Sequence, residues 1–268
     1  MTARSYLYVP ADRPEKLEKA AARGADALIL DLEDSVALEE KPNARRLAKE
    51  WIETADRTVE TWVRTNAGDL LAEDLQEILP AGPDGILLSK VSSAEEVDHA
   101  RSLAGKDVRL AALIETAAGV LNAREIAASG VERLAIGEAD LSAELGIMLS
   151  DDGREVNSIR MQIVLVSAAA GIDAPVGPVS TDFRDLDALR TSTEALKRVG
   201  FSSRAAIHPA QVSVINEVFM PSHEEVAAAR RIIARFEEAG GAACVDDSGR
   251  MVDEAVVRSA RRTLSTAE

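Results

Sequence analysis

Short aliphatic and β-branched runs alternate with longer polar, alanine-rich stretches from the first residues to about position 212. Eight such runs occupy residues 5–10, 26–34, 59–66, 85–91, 108–116, 132–141, 171–179 and 204–212. Strand-like runs separated by segments of helical period predict a parallel sheet with crossover helices. Eight units without a Pro/Ser-rich linker or a break in composition predict one closed (β/α)₈ TIM barrel in place of two doubly wound halves. The seventh run is the weakest, because Pro175 and Pro178 and two glycines interrupt it.

The intervening stretches carry helix punctuation. Pro14 sits where a first turn would begin after Asp12, Gly24 stands where a helix would close, and residues 92–103 open like a capping box. After the eighth unit a helical pattern over 222–238 and a further stretch add a tail that a barrel does not need. The expected organisation is therefore a catalytic barrel over 1–220 and a C-terminal helical extension over 221–268, placed to cover the site or to reach a neighbouring subunit.

Composition narrows the function classes. With 31 basic and 46 acidic residues the formal net charge is −15, which disfavours nonspecific attraction to nucleic acid or an anionic membrane. Any anionic substrate must be held by local charge. One cysteine, Cys244, excludes an internal disulfide, and a reducing cytoplasm is the expected location. The N-terminus has no signal-peptide h-region, and no apolar run approaches the roughly 20 residues that span a bilayer.

In such barrels the chemistry gathers where strands end and the next loops begin. That position selects Asp31, Glu33 and Asp34 after the second run, Arg64 and Asn66 after the third, Lys90 after the fourth, Glu115 after the fifth and Asp140 after the sixth. Glu115 and Asp140 follow apolar runs, so unpaired they would repel, and one would be pushed toward protonation. Two arrangements relieve this: a shared divalent cation, or salt bridges to Arg64 or Lys90. Oxygen-only ligands favour Mg²⁺ or Mn²⁺. Arg64 suits bidentate capture of a substrate carboxylate, an ion pair with the 31–34 acids, or both. Asp31, Glu33, Asp34 and Lys90 are expected around those groups, and Lys90 keeps a protonated amine beside its carboxylates. Arg13 and Lys16, after the first run, are candidates for the phosphates of a large anionic substrate, or members of a solvated helix. His208, held by Pro209 in an extended or turn conformation, is expected to be buried and satisfied.

The segments YLYVPADRPEKLEKA, LILDLEDSV with KPNAR, VRTNA, KVSSAEEV, ALIETAAGVLNAREIA, GFSSRAAIHPAQV and GRMVDEAVVRSARR together resemble the citrate lyase beta subunit-like family, within the HpcH/HpaI aldolase group of CoA-ester lyases. The resemblance runs nearly end to end. It implies a (β/α)₈ barrel, a homotrimer, and Mg²⁺ held by the glutamate of IET and the aspartate of G-x-x-D, here Glu115 and Asp140. It implies that Arg64 binds the acyl substrate's carboxylate and that Asp253, in the tail motif, acts in proton transfer from an adjacent subunit. Four places depart from the family pattern: Ser89 stands where proline is common, Gly137–Asp140 reads GEAD in place of GAED, Ala118 replaces a frequent arginine, and the seventh run, PVGPVSTDF, differs from the usual apolar one.

The activity so implied is Mg²⁺-dependent cleavage or formation of a carbon–carbon bond in a 3-hydroxyacyl-CoA thioester, malyl-CoA or citramalyl-CoA among them, through an acetyl-CoA-like enolate. Its partners would be a CoA thioester and a 2-oxo or 2-hydroxy acid. Other readings are a CoA-independent pyruvate-type aldolase, a malate synthase or malyl-CoA thioesterase, and the citryl-lyase subunit of a larger complex.

Overall fold

The computed structural model describes residues 3–55, 58–150 and 153–267. They divide into two compact units, 3–216 and 217–267. The larger is the expected TIM barrel: β1 (Ser5–Pro10), β2 (Ala27–Asp31), β3 (Glu60–Thr65), β4 (Gly85–Leu88), β5 (Leu110–Ile114), β6 (Arg133–Ile136), β7 (Val176–Gly177) and β8 (Ser203–Ala206). All neighbours are parallel, and β1 pairs with β8 to close the ring.

Between the strands run α1 (Pro14–Ala20), α2 (Lys41–Thr54), α3 (Leu70–Ile78), α4 (Ala94–Ala104), α5 (Ala117–Leu121), α6 (Ala123–Ala128), α7 (Glu138–Leu145), α8 (Asn157–Ala170) and α9 (Leu186–Val199), and α10 (Pro209–Phe219) follows β8. Pro14 begins α1, and Gly24, at φ 78°, ends the short 3₁₀ turn after it. The α4 start differs slightly from a capping box: Ser93 accepts from the Glu96 N–H, but the Glu96 carboxylate takes the N–H of Ser92 instead of Ser93.

The strands bury both faces, as a parallel sheet sheathed by helices must. In β2 the alternation sends Ile29 and Asp31 into the barrel with Ala27, while Leu28 and Leu30 face the helices. The register sets Pro10, Asp31 and Arg64 side by side on β1, β2 and β3, so the inward acid and the inward arginine are lateral neighbours at the mouth. At the opposite end Trp62 fills the barrel floor. Gly85 makes room for it, since a Cβ there would lie 2.5 Å from the indole.

The smaller unit holds α11 (His223–Glu238), β9 (Cys244–Val245), β10 (Met251–Val252) and α12 (Glu254–Ala267). Phe236, Val252 and Val257 form its own core. Where helix alone was expected, β9 and β10 form an antiparallel hairpin, turned by the Asp246 carboxylate accepting from the N–H groups of Ser248 and Arg250.

Candidate active site

The mouth of the barrel opens into one cavity of about 390 Å³. Asp31, Arg64, Glu115, Asp140 and Gly137 line its upper part. Arg64 is held there by carboxylates. Its Nε and Nη2 grip Asp31 bidentately at 2.6 and 2.8 Å, and Nη1 lies 2.9 Å from Glu33 and 3.4 Å from Asp34. The guanidinium also sits 5.0 Å from the Tyr8 ring centroid. Burial pushes the Asp31 carboxyl up, but the Arg64 bonds outweigh it and hold the group below the ordinary range. Burial, with the neighbouring Asp34, raises Glu33.

Lys90 completes this cluster. Its ammonium pairs with Glu33 and, at 3.2 Å, with Asp34. The hydrogen bond to Glu33 leads the effects that raise it well above the ordinary lysine range, so at neutral pH it is no free amine. Among the described residues it is the one non-glycine with positive φ, 50°. This strained backbone turns the Lys90 N–H onto Glu115 Oε1 at 2.8 Å while the side chain reaches back to the β2 loop.

Arg64 and Lys90 are thus engaged by the three acids after β2. Among the described residues neither Glu115 nor Asp140 is ion-paired. Glu115 is 2 % exposed, and burial pushes its pKa up to about 8, with the charges of Glu33 and Asp140 adding to the effect. Asp140 is exposed in the first turn of α7, beside the same cavity. Gly137 bonds back to Ile114 and lies against the free side of Glu115, where a Cβ would come within 2.5 Å of Oε2. Of the two arrangements the sequence left open, the salt-bridged one is absent for this pair.

The remaining candidates scatter more widely. Arg13 and Lys16 are exposed at the start of α1. Asn66 is buried and bonds to Leu32 and Asp74, a structural post under the loop. Asp253 lies in the smaller unit, where its carboxylate caps α12 through the N–H groups of Ala255 and Val256. His208 corrects an expectation: it is exposed, accepting the Ala210 N–H on Nδ1 and stacking on Phe183 at 4.7 Å, because Pro209 starts a helix directly after it. Glu138 was not singled out as a site residue, yet it lines the cavity and grips Arg160 bidentately at 2.6 and 2.7 Å, tying the Asp140 helix to α8. Its signal was the altered GEAD order.

The model of the family described as HpcH/HpaI aldolase/citrate lyase matches residues 4–209. The chain belongs to that family. It is an enzyme of lyase or thioesterase type. A (3S)-malyl-CoA thioesterase of Cereibacter sphaeroides (strain KD131 / KCTC 12085) is 40 % identical over 99 % of this chain and 94 % of that protein. A citrate lyase subunit beta-like protein of Mycobacterium tuberculosis (strain ATCC 25618 / H37Rv) is 38 % identical over 98 % of this chain and 94 % of its own length. The crystal structure of the protein CitE from Mycobacterium tuberculosis, in complex with magnesium, acetoacetate and coenzyme A, superposes with a TM-score of 0.84 at 37 % identity, covering 98 % of this chain and 97 % of that one.

Proposed function

We propose that this enzyme makes or breaks the carbon–carbon bond of a 3-hydroxyacyl-CoA thioester of the malyl or citramalyl type, with Mg²⁺ or Mn²⁺ held by Glu115 and Asp140. One observation carries the reading: two carboxylates share a cavity wall, one of them desolvated, while Arg64 and Lys90 are engaged by the acids after β2. Such a pair fits a hard divalent ion. Among the described residues no group of three or more His, Cys, Asp or Glu stands ready as a complete site, which suits Mg²⁺, an ion commonly held by one or two carboxylates with water and substrate completing its shell. Bound there, the ion would supply Lewis-acid polarisation of an acid's carboxylate and adjacent oxygen.

The chain's own groups do the rest. Lys90 fixes Glu115 through its backbone N–H. Asp31 holds Arg64 in one rotamer beside the cavity, where its positive charge favours an anionic substrate end. In cleavage the hydroxyl proton passes to a base, the bond between the hydroxyl-bearing carbon and the carbon next to the thioester breaks, and the acetyl-CoA enolate takes a proton. Asp253 is the proposed carrier of a proton, Arg13 and Lys16 the proposed contacts for CoA phosphates, and a homo-oligomer the proposed assembly. A thioesterase is the second reading, favoured by the 40 % identity to a (3S)-malyl-CoA thioesterase.

A panel of malyl-, citramalyl- and citryl-CoA, followed for free CoA and for the 2-oxo acid released, separates the two. The lyase yields an acyl-CoA and a 2-oxo acid; the thioesterase yields free CoA and a hydroxy acid. Turnover stops with EDTA, and Glu115→Ala or Asp140→Ala lowers it by about a hundredfold or more. Full metal-dependent turnover in either variant refutes the assignment. Asp253→Asn lowers turnover with unchanged Mg²⁺ binding, by about a hundredfold for a lost proton carrier. Gly137→Ala, which crowds Glu115 Oε2, weakens Mg²⁺ binding about tenfold or more by calorimetry, with the circular dichroism spectrum preserved.

A further inference from the structure

Lys41, in the first turn of α2, is a buried charge that the site described above leaves unused. It is 8 % exposed, and its ammonium meets no carboxylate among the described residues. It donates instead to two successive main-chain carbonyls, Leu32 at 2.8 Å and Glu33 at 2.9 Å. A buried ammonium is unfavourable unless strong hydrogen bonds replace its water, so these two bonds are what keeps it there.

The far sides of the same two peptides face the active site. In a trans peptide the C=O and the N–H point in opposite directions. The peptide held by Leu32 O sends the Glu33 N–H to Asp31 Oδ1 at 2.9 Å, and the one held by Glu33 O sends the Asp34 N–H to the Glu33 carboxylate at 3.1 Å. A cation at one end and a carboxylate at the other polarise each peptide in the same sense, which strengthens both of its bonds. The charge of Lys41 is thus answered, through the backbone, by the two acids that engage Arg64. A second brace runs beside the first. Leu32 O also accepts from Asn66, Asn66 is seated on Asp74, and Asp74 takes Arg45, one helical turn after Lys41 on α2.

We propose that Lys41 is a positioning residue of this enzyme: it fixes the two peptides over 32–34, their N–H groups aim Asp31 and Glu33, and those carboxylates hold Arg64 toward the anionic end of the substrate. This rests on the function proposed above, in which Arg64 supplies that charge. Lys41 does not line the cavity and acts only through these groups.

Two readouts on the full chain test it. The first is the Arg64 Nε–H, which donates to Asp31 at 2.6 Å and gives a ¹H–¹⁵N NMR signal identified by its loss in Arg64→Ala. In Lys41→Met this proton should exchange with water about tenfold faster or more, as expected when hydrogen bonds from a charged donor are lost. The second is kcat/KM on the CoA thioester, which should fall by about a hundredfold because the substrate's anionic end is misplaced. Lys41→Gln, whose amide can still reach one carbonyl, should fall between wild type and Lys41→Met in both. Ile126→Ala, a cavity in α6 away from the mouth, lowers the melting temperature and should move neither. Should Lys41→Met fail to fold, Lys41→Gln decides by the same two measurements. An unchanged Arg64 signal, an unchanged kcat/KM, or losses that follow melting temperature across all three variants overturns the proposal. If the wild type turns over no thioester, the proposed function falls, while the Arg64 signal still tells whether Lys41 holds the cluster.

Discussion

Magnesium affinity is expected to rise close to tenfold per pH unit from about pH 5 to about pH 8 and to level off above that, with Glu115 as the proposed ligand. The cause is Glu115, whose burial raises its pKa to about 8, so the ion must displace one proton throughout that window. Folding stability carries the same signature. In the metal-free chain the raised Glu115 contributes stability that is intact below its ordinary value of 4.5 and is lost as pH rises through 8. Each tenfold of altered proton affinity is worth about 1.4 kcal/mol, so the EDTA-treated protein should lose thermal stability steadily from pH 5 to 8. Glu33, also raised by burial, acts in the same direction. Mg²⁺ bound at the proposed site should restore the loss, with a stabilising effect that grows with pH.

Two variants separate the contributions. Glu115→Gln keeps the shape and removes the proton, so the steep pH dependence of Mg²⁺ binding disappears along with most of the affinity. Asp140→Asn weakens Mg²⁺ but leaves the downward slope of the metal-free melting temperature in place, because Glu115 is still buried. Calorimetric Mg²⁺ titrations at pH 6, 7 and 8 give the answer directly. A dissociation constant that does not change across them would falsify the role given to Glu115.

The barrel was legible because parallel strands buried on both faces are written as short apolar runs with little room for ambiguity. The seventh strand shrank to Val176–Gly177 for the reason visible in advance: Pro175 and Pro178 flank it, and proline has no ladder donor. The tail hairpin was not legible, since two strands of two residues carry no periodic signal, and the turn that joins them depends on one side chain, Asp246. Strand-end position brought Asp31, Arg64, Lys90, Glu115 and Asp140 to one mouth. It did not say who pairs with whom. That choice follows from register, which puts Asp31 beside Arg64, and from the φ of Lys90, which no sequence pattern announces.

Arg64→Ala is expected to be the most disruptive single change in the molecule. It leaves Asp31 nearly buried and without its bidentate partner, and strips Glu33 and Asp34 of a cation as well. Breaking a buried pair by removing one side costs about 3–5 kcal/mol. For a chain of this size the melting temperature should fall by on the order of 10 °C. Acid reverses the penalty. Asp31, held below its ordinary pKa, contributes stability that is present above 3.8 and lost as pH falls through its folded value, and the variant has forfeited that contribution already. Wild-type and variant melting curves should therefore converge only below pH 3.8, as pH falls through the lowered Asp31 value. Turnover falls too, but a destabilised site would lose turnover for structural reasons alone, so a second variant is needed. Arg64→Met combined with Asp31→Leu replaces the ion pair by apolar side chains of similar reach, and Lys90 still faces Glu33 and Asp34. Stability should recover by more than half, since buried pairs are often no better than the hydrophobic groups that replace them. Turnover should not. If turnover returns along with the melting temperature, Arg64 serves only to hold the mouth together, and the substrate carboxylate must find its positive charge elsewhere.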